Sequence, residues 1–259
     1  MYKKILYLLF LITIITCSGC GKKQAETEFI SDLEAIRNRN EIIVGVREDT
    51  KPFGYRDKNG NLSGFEIDLS KEIAKHILGD SGKIKFVKVN ASNRIEKLNS
   101  KEVDILVATM TITSQRFRVI DFSDTYYTAG QALMVRSKSD ITSLNQAANS
   151  GKIIVVFGTT AEKSIRDIYP AAKIIGVKTY TEAFEALKSA KGDAIVADDI
   201  ILMGQAEDKS VKLLPKRYSV EHYGVGLREG ADDLKTVINE IIEQLHSNGK
   251  LKLSGNLLK

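Results

Sequence analysis

From residue 41 onward, short runs of β-branched and aliphatic residues alternate with longer stretches whose apolar positions recur every three or four residues. The first kind of run marks strands covered on both faces, and the second marks amphipathic helices. A strand over 41–46 leads into a stretch in which Asn59-Gly60 reads as a hairpin tip. Next comes a helix with Leu69, Ile73 and Ile77 on one face, Lys71, Glu72 and Lys75 on the other, and Gly79 as its stop. A strand over 83–89, a helix over 92–100 and a strand over 103–108 complete a β-α-β-α-β alternation. The same rhythm returns with a strand over 152–157, a helix over 161–168, a strand over 173–177, a helix over 181–190 and a strand over 193–197.

Two such blocks predict an α/β protein of two lobes, each a mostly parallel sheet flanked by helices. Further β-like segments over 131–135 and 223–227 flank the second block, so the chain is expected to cross between lobes twice. A helix over 232–246 then returns to the first lobe. The expected boundaries are 29–130 and 223–259 for lobe 1, and 131–222 for lobe 2.

The N-terminus follows a different pattern. Lys3 and Lys4 precede the apolar run Ile5 to Thr16, which at 12 residues is well short of a membrane span and long enough for the core of a signal peptide. The run ends in Cys17-Ser18-Gly19-Cys20, which resembles a bacterial lipobox, although Cys17 stands where an aliphatic residue is usual. The expectation is a signal peptide over 1–19, lipid attachment at Cys20 and a polar tether over 20–28, giving an extracytoplasmic protein held to the membrane by lipid. An uncleaved anchor or a plain secretory cleavage would export the same domain.

Composition narrows the chemistry. Of 259 residues, 43% are hydrophobic and 27% charged, which is ample for cores, and the net charge of +5 falls to +3 once the segment holding Lys3 and Lys4 is removed. Basic and acidic residues are interspersed and form no stripe, so a nucleic-acid partner is not expected. His76, His222 and His246 with Cys17 and Cys20 form no thiol or imidazole set, and no cofactor or metal is expected. Asp57, Asn59 and Asn61 only superficially suggest a calcium loop, because Leu62 stands where that loop needs glycine.

In open α/β sheets ligands bind beyond the carboxyl ends of the strands. The loops at those ends carry Arg47-Glu48-Asp49, Asn90 to Arg94, Thr109 to Arg116, Gly158-Thr159-Thr160 and Asp198-Asp199. Three guanidinium groups, several hydroxyls, helix-start N–H groups and an acid suit a small zwitterion that carries additional negative charge. Plainer readings stand beside this one. A Thr at 159 or 160 can simply cap a helix, Arg116 can pair with Asp121 or Asp124, Asp198 can cap the helix near Ile200, and Arg47 can pair with Glu48 or Asp49.

The motifs in these loops resemble those of the family 3 extracellular solute-binding proteins, the amino-acid receptors of ABC importers, over essentially all of 31–259. The resemblance is carried by Val44-Gly45-Val46, Pro52-Phe53-Gly54-Tyr55, Gly64-Phe65-Glu66-Ile67-Asp68-Leu69, Thr111 to Arg116, Asp121 to Tyr127, Gly158 to Glu162, Asp193 to Asp198 and Tyr223 to Leu227. It implies a type II periplasmic-binding-protein-like fold with two hinge crossovers, near 128–132 and 222–226. It further implies that Arg116, Thr111 and the backbone N–H of Thr160 hold the ligand α-carboxylate, and that Asp198 and the carbonyl of Thr109 hold its α-ammonium. The implied partners are a free amino acid, an ABC permease in the cytoplasmic membrane and the membrane itself through the lipid, with the receptor a monomer and not an enzyme.

For the ligand side chain, Arg47 and Arg94 resemble basic residues of the aspartate/glutamate subgroup. With Arg116 and Asp198 they would give the site a charge of +2, which favours glutamate or aspartate. Thr50, Ala91 and Val156 differ from the ring-bearing residues and lysine of glutamine receptors, so glutamine or a broader polar specificity is the alternative. A periplasmic dehydratase-like enzyme on the same fold is the alternative from another class.

Overall fold

The computed structural model describes residues 30–205, 207–249 and 251. The expected signal peptide, lipidated Cys20 and tether lie outside the described residues, as do 252–259 of the expected lobe 1.

After helix α1 (Asp32–Arg39), strand β1 (Ile42–Val46) runs into a small antiparallel ribbon made of β2 (Asp49–Thr50), β3 (Gly54–Arg56) and β4 (Leu62–Ser63). Helix α2 (Phe65–Leu78), β5 (Ile84–Lys88), α3 (Arg94–Asn99), β6 (Ile105–Val107) and, after a short 3₁₀ turn, β7 (Asp121–Ala129) follow. The second block holds β8 (Gln131–Arg136), α4 (Leu144–Ser150), β9 (Lys152–Val156), α5 (Thr160–Ile168), β10 (Lys173–Val177), α6 (Tyr180–Lys188), β11 (Ala194–Asp198), α7 (Asp199–Met203) and β12 (Val211–Leu213). Strand β13 (Glu221–Leu227) and helix α8 (Asp232–Ser247) complete the described chain.

The strands form two five-stranded sheets of matching topology, ordered β5-β1-β6-β13-β7 and β10-β9-β11-β8-β12. In the first, β1 lies parallel to β5 and β6, while β13 is antiparallel to β6 and β7. In the second, β9 lies parallel to β10 and β11, while β8 is antiparallel to β11 and β12. Four of the five strands in each sheet therefore point the same way, as the repeated alternation requires, and the fold class expected from the sequence is the one observed. The continuous apolar runs are explained by two-sided burial: Val44, Val46, Ile105, Val107, Ile153, Ile154, Ala194 and Ile195 are all fully enclosed.

Helix α2 behaves as its periodicity predicts, with Leu69, Ile73 and Ile77 buried and Gly79 ending it in the left-handed conformation. Its start is set by backbone alone. Gly64 has φ 127°, and the amides of Phe65 and Glu66 donate to the carbonyls of Pro52 and Phe53 at 3.0 and 2.9 Å. The ribbon is thereby docked on the helix start, which drives the Phe53 ring edge-on against Phe65, Tyr127 and Tyr223.

The chain passes from the first sheet to the second at Gly130, between β7 and β8. It returns through 214–220, where the amides of Leu214 and Tyr218 still bond carbonyls of β8, and Glu221 already pairs with Ala129 of β7. The segment 222–226, expected as the second hinge, thus lies inside a strand of the first sheet, and the crossing falls just before it. Helix α8 packs on β7, α2 and α1, the return to the first block that the sequence suggested.

An added Cβ at Gly64 would lie 2.1 Å from the carbonyl oxygen of Phe53, at a φ that L side chains avoid. Gly64→Ala is expected to destabilise the protein by about 2 kcal/mol or more. The check is the urea midpoint, which should fall with an unchanged slope; a midpoint equal to the parent's would contradict the docking role.

Candidate functional site

The carboxyl ends of strands from both sheets meet at one small cavity. It is lined by Arg47 after β1, Arg94 opening α3, Thr109 and Thr111 after β6, and Arg116 in the 3₁₀ turn, all from the first block. From the second block come Thr159, Thr160 and Ala161 at the start of α5, Tyr180 at the start of α6 and Asp198 at the end of β11. Arg47, Arg94, Thr109, Thr111, Arg116, Thr160 and Asp198 are the seven lining positions singled out in the sequence, and the structure brings them all together. The enclosed space is about 10 Å³, room for a single water. An open groove of about 1060 Å³ adjoins it and shares Thr111, Arg116, Thr159 and Thr160.

Arg116 spans the two blocks, donating from Nη1 to the carbonyl of Thr111 at 2.7 Å and from Nη2 to the carbonyl of Gly158 at 3.1 Å. Its guanidinium does not pair with Asp121 or Asp124; Asp121 instead accepts the amide of Gly230. Burial holds its pKa below the usual arginine value, against the opposing pull of Glu221 and Asp198.

Asp198 occupies the cap position of α7 without capping it. The amide of Ile200 is taken by Oδ1 of Asp199 at 2.8 Å, so the Asp198 carboxyl is left to accept a short hydrogen bond from the Tyr223 hydroxyl. Burial, and then the neighbouring Glu221, push its pKa up to about 7, while the Tyr223 hydroxyl holds it down. An acid poised in this way can be ionised by an arriving cation.

The cap of α5 is Thr159, whose hydroxyl accepts the amide of Glu162 at 3.2 Å. Thr160 is the first helical residue, so its N–H belongs to the set with no partner inside the helix and lies at the positive end of the dipole. Its hydroxyl donates to Glu221 at 2.9 Å. Thr109 sits at φ 46°, donates its N–H to Oε1 of Glu66 at 2.6 Å and accepts Nη1 of Arg94 at 3.2 Å on its carbonyl.

The charge balance extends beyond the residues that line the cavity. Arg47 is paired with Asp49: Nε reaches Oδ1 at 3.0 Å, and Nη2 reaches Oδ1 and Oδ2 at 2.9 and 3.0 Å. Its guanidinium carbon also stands 4.8 Å from the centre of the Tyr180 ring. Arg94 is buried beside Glu66, and its Nη1 donates to the Ala108 carbonyl at 2.5 Å, while its Nε has no hydrogen-bond partner among the described residues. The cavity wall itself carries the three guanidinium groups and Asp198 that were counted from the sequence, and Asp49, Glu66 and Glu221 stand behind that wall. The sequence count stopped at residues lining the cavity and omitted the acids packed behind them.

Tyr180, Tyr223, Glu66 and Glu221 were missed as site residues. Tyr180 had a readable signal, because Lys178-Thr179-Tyr180 follows a strand as the chosen loops do. Glu66 is fully enclosed, with its pKa raised to about 7 mainly by burial, and accepts the hydroxyl of Tyr126 as well as the amide of Thr109. Glu221 is buried where β13 begins, accepting Gln131 at 2.9 Å, Ser219 at 2.6 Å and Thr160. Glu66 stands in the Gly64 to Leu69 motif and on the Leu69–Ile73 face of its helix, whereas no local motif marks Glu221.

Comparison with known proteins gives a consistent result. The sequence pattern of the family described as bacterial extracellular solute-binding proteins, family 3, matches residues 42–254. The "ABC transporter glutamine-binding protein GlnH" of Bacillus subtilis (strain 168) is 39% identical over 252 residues, covering 95% of this chain and 92% of that protein. The "glutamine-binding protein" of Geobacillus stearothermophilus is 37% identical, with 85% and 90% covered. Among solved structures, the ancestral amino acid-binding protein AncCDT-1, a precursor of cyclohexadienyl dehydratase, superposes with a TM-score of 0.82 at 33% identity, covering 88% of this chain and all of that one.

Removing the hydroxyl that steadies Asp198 should raise its pKa further. In Tyr223→Phe, the Asp198 carboxyl carbon followed by NMR is expected to titrate above the parent's midpoint of about 7. An unchanged or lower midpoint would mean that the hydroxyl does not stabilise the ionised form.

Proposed function

Because the chain belongs to the bacterial extracellular solute-binding proteins of family 3, we propose that it captures a free amino acid outside the cytoplasmic membrane for an ABC permease, and that this amino acid is glutamine. The observation that carries the reading is the convergence of Arg116 from one sheet's loops and Asp198 from the other's on a single cavity. In this account the α-carboxylate takes the planar fork of Arg116, helped by Thr111 and the N–H of Thr160, and the α-ammonium takes Asp198 and the Thr109 carbonyl. The carbonyl partners that Arg116 holds at Thr111 and Gly158 are weaker acceptors than a carboxylate, so exchange is favourable. The ligand side chain would lie toward Arg47, Arg94 and Tyr180.

An enclosed space of about 10 Å³ admits no amino acid, so entry requires the two sheets' loops to part and then close again. Gly130 and the 214–220 return are the two places where such motion can be absorbed. A ligand bridging both halves adds to the bonds that already cross the cleft, Arg116 to Gly158 and Asp49 to Tyr180, and so favours the closed arrangement. Tethering by lipid at Cys20 would keep the receptor beside its permease, and a monomer suffices for this task.

Glutamine is preferred over the glutamate or aspartate expected from sequence for two reasons. Both 37–39% identical relatives bear glutamine-binding names. The acids behind the arginines also offset the positive charge that a second ligand carboxylate would need. The dehydratase-like reading finds no support in the lining residues beyond the set already used for binding.

Calorimetry with the twenty amino acids tests the proposal: glutamine should bind most tightly, Arg116→Ala should abolish its binding, and no product should form on incubation. A silent panel, or turnover of a ligand, would overturn it. The pH dependence has a definite sign. The ammonium needs ionised Asp198, whose pKa stands near 7 before binding, so affinity should hold above pH 7 and weaken by up to about tenfold per unit below it. A flat profile from pH 8 to 5 would contradict the ammonium–Asp198 contact.

A further inference from the structure

Asp49 does not line the cavity, yet it joins three elements around it. Its carboxylate holds the guanidinium of Arg47 from two directions and accepts the Thr50 hydroxyl at 3.0 Å. It also accepts the backbone amide of Tyr180, the first residue of α6, at 2.9 Å. Arg47 and Asp49 belong to the first block and Tyr180 to the second, so this one carboxylate bonds across the cleft. The Tyr180 ring lies against the same guanidinium, and both Arg47 and the ring form part of the cavity wall. Arg47 is 1% exposed, so its charge has little solvent to stabilise it and depends on this partner.

We propose that Asp49 is a positioning residue that sets ligand specificity: by neutralising Arg47 and fixing it against Tyr180 across the cleft, it tunes the pocket to a carboxamide side chain and against a second carboxylate. The inference deepens the amino-acid-receptor reading and rests on it. A guanidinium whose Nε and Nη2 are consumed by Asp49 presents a neutralised ion pair to the ligand. It can still donate to a carbonyl oxygen, but offers no net charge to repay the dehydration of an anion. Without the Asp49 charge, the same guanidinium would meet the ligand stripped of its directly bonded carboxylate. The groups facing this pair are Thr50 from its own ribbon, Tyr180 from α6 and, within electrostatic range, Arg94 and Glu66.

Asp49→Asn tests this directly, because the charge is gone while the amide oxygen can keep the Tyr180 N–H and Nη2 of Arg47, and the amide nitrogen, a donor, gives up the bond to Nε. Calorimetry at pH 7.5 would compare the parent and the variant on two pairs, glutamine with glutamate and asparagine with aspartate. The expected result is a rise of tenfold or more in the acid-to-amide affinity ratio in Asp49→Asn, reversed when Arg47→Gln is added. A merely structural role would weaken both members of a pair alike. An unchanged ratio, a uniform loss of binding, or a ratio that rises equally in the double variant would each overturn the proposal. Failure of the glutamine reading would appear in the parent's affinities alone, whereas failure of this inference appears in the change between parent and variant.

Discussion

A buried guanidinium must be given acceptors, and this fold supplies them from opposite sides of one cleft. Arg116 leans on carbonyls of Thr111 from its own block and Gly158 from the other, while Arg47 is bound by Asp49, which in turn holds the start of α6. Each cation thus ties the two halves together through bonds that a ligand can exchange or leave in place. Energetically this divides the labour. Neutral carbonyls are replaceable by a carboxylate, whereas a bidentate carboxylate partner is not. Arg116 is consequently suited to receive a ligand's anionic end, and Arg47 to shape the wall.

The acid side follows the same logic in reverse. Asp198 is enclosed, close to Glu221, and steadied by the hydroxyl of Tyr223. Its pKa near 7 reflects burial first and the neighbouring Glu221 second, a penalty on the ionised form that an adjacent ammonium would offset. Glu221 links this site to the crossing segments, since it contacts Thr160 in the cavity wall and Gln131 at the start of β8. The cavity wall and the geometry of the crossings are therefore joined through one side chain.

Much of this was legible in the sequence because strand ends are legible. Apolar runs located β1, β6, β9 and β11 to within one or two residues, and the residues that follow them include Arg47, Thr109, Thr160 and the terminal Asp198. What escaped was the depth behind the wall. Glu66 falls on the buried Leu69–Ile73 face of its helix, but its bond to the Thr109 amide joins residues 43 positions apart and no local pattern shows it. Glu221 precedes a strand by pattern but opens it in fact, because Ala129 of β7 is there to pair with it. Asp49 was visible as a possible partner of Arg47, but its bond to Tyr180 depends on the placement of two distant loops. The lining charge counted from the sequence is for that reason only part of the balance: long-range packing, not local pattern, brought Asp49, Glu66 and Glu221 in behind it.

The most direct measurement is a crystal structure of the protein grown with glutamine. The account requires one glutamine enclosed between the two sheets, its α-carboxylate in bidentate contact with Arg116 and its ammonium on Asp198. A ligand held by residues of a single sheet, or lodged outside the cavity with the Arg116 contacts to Thr111 and Gly158 intact, would contradict it.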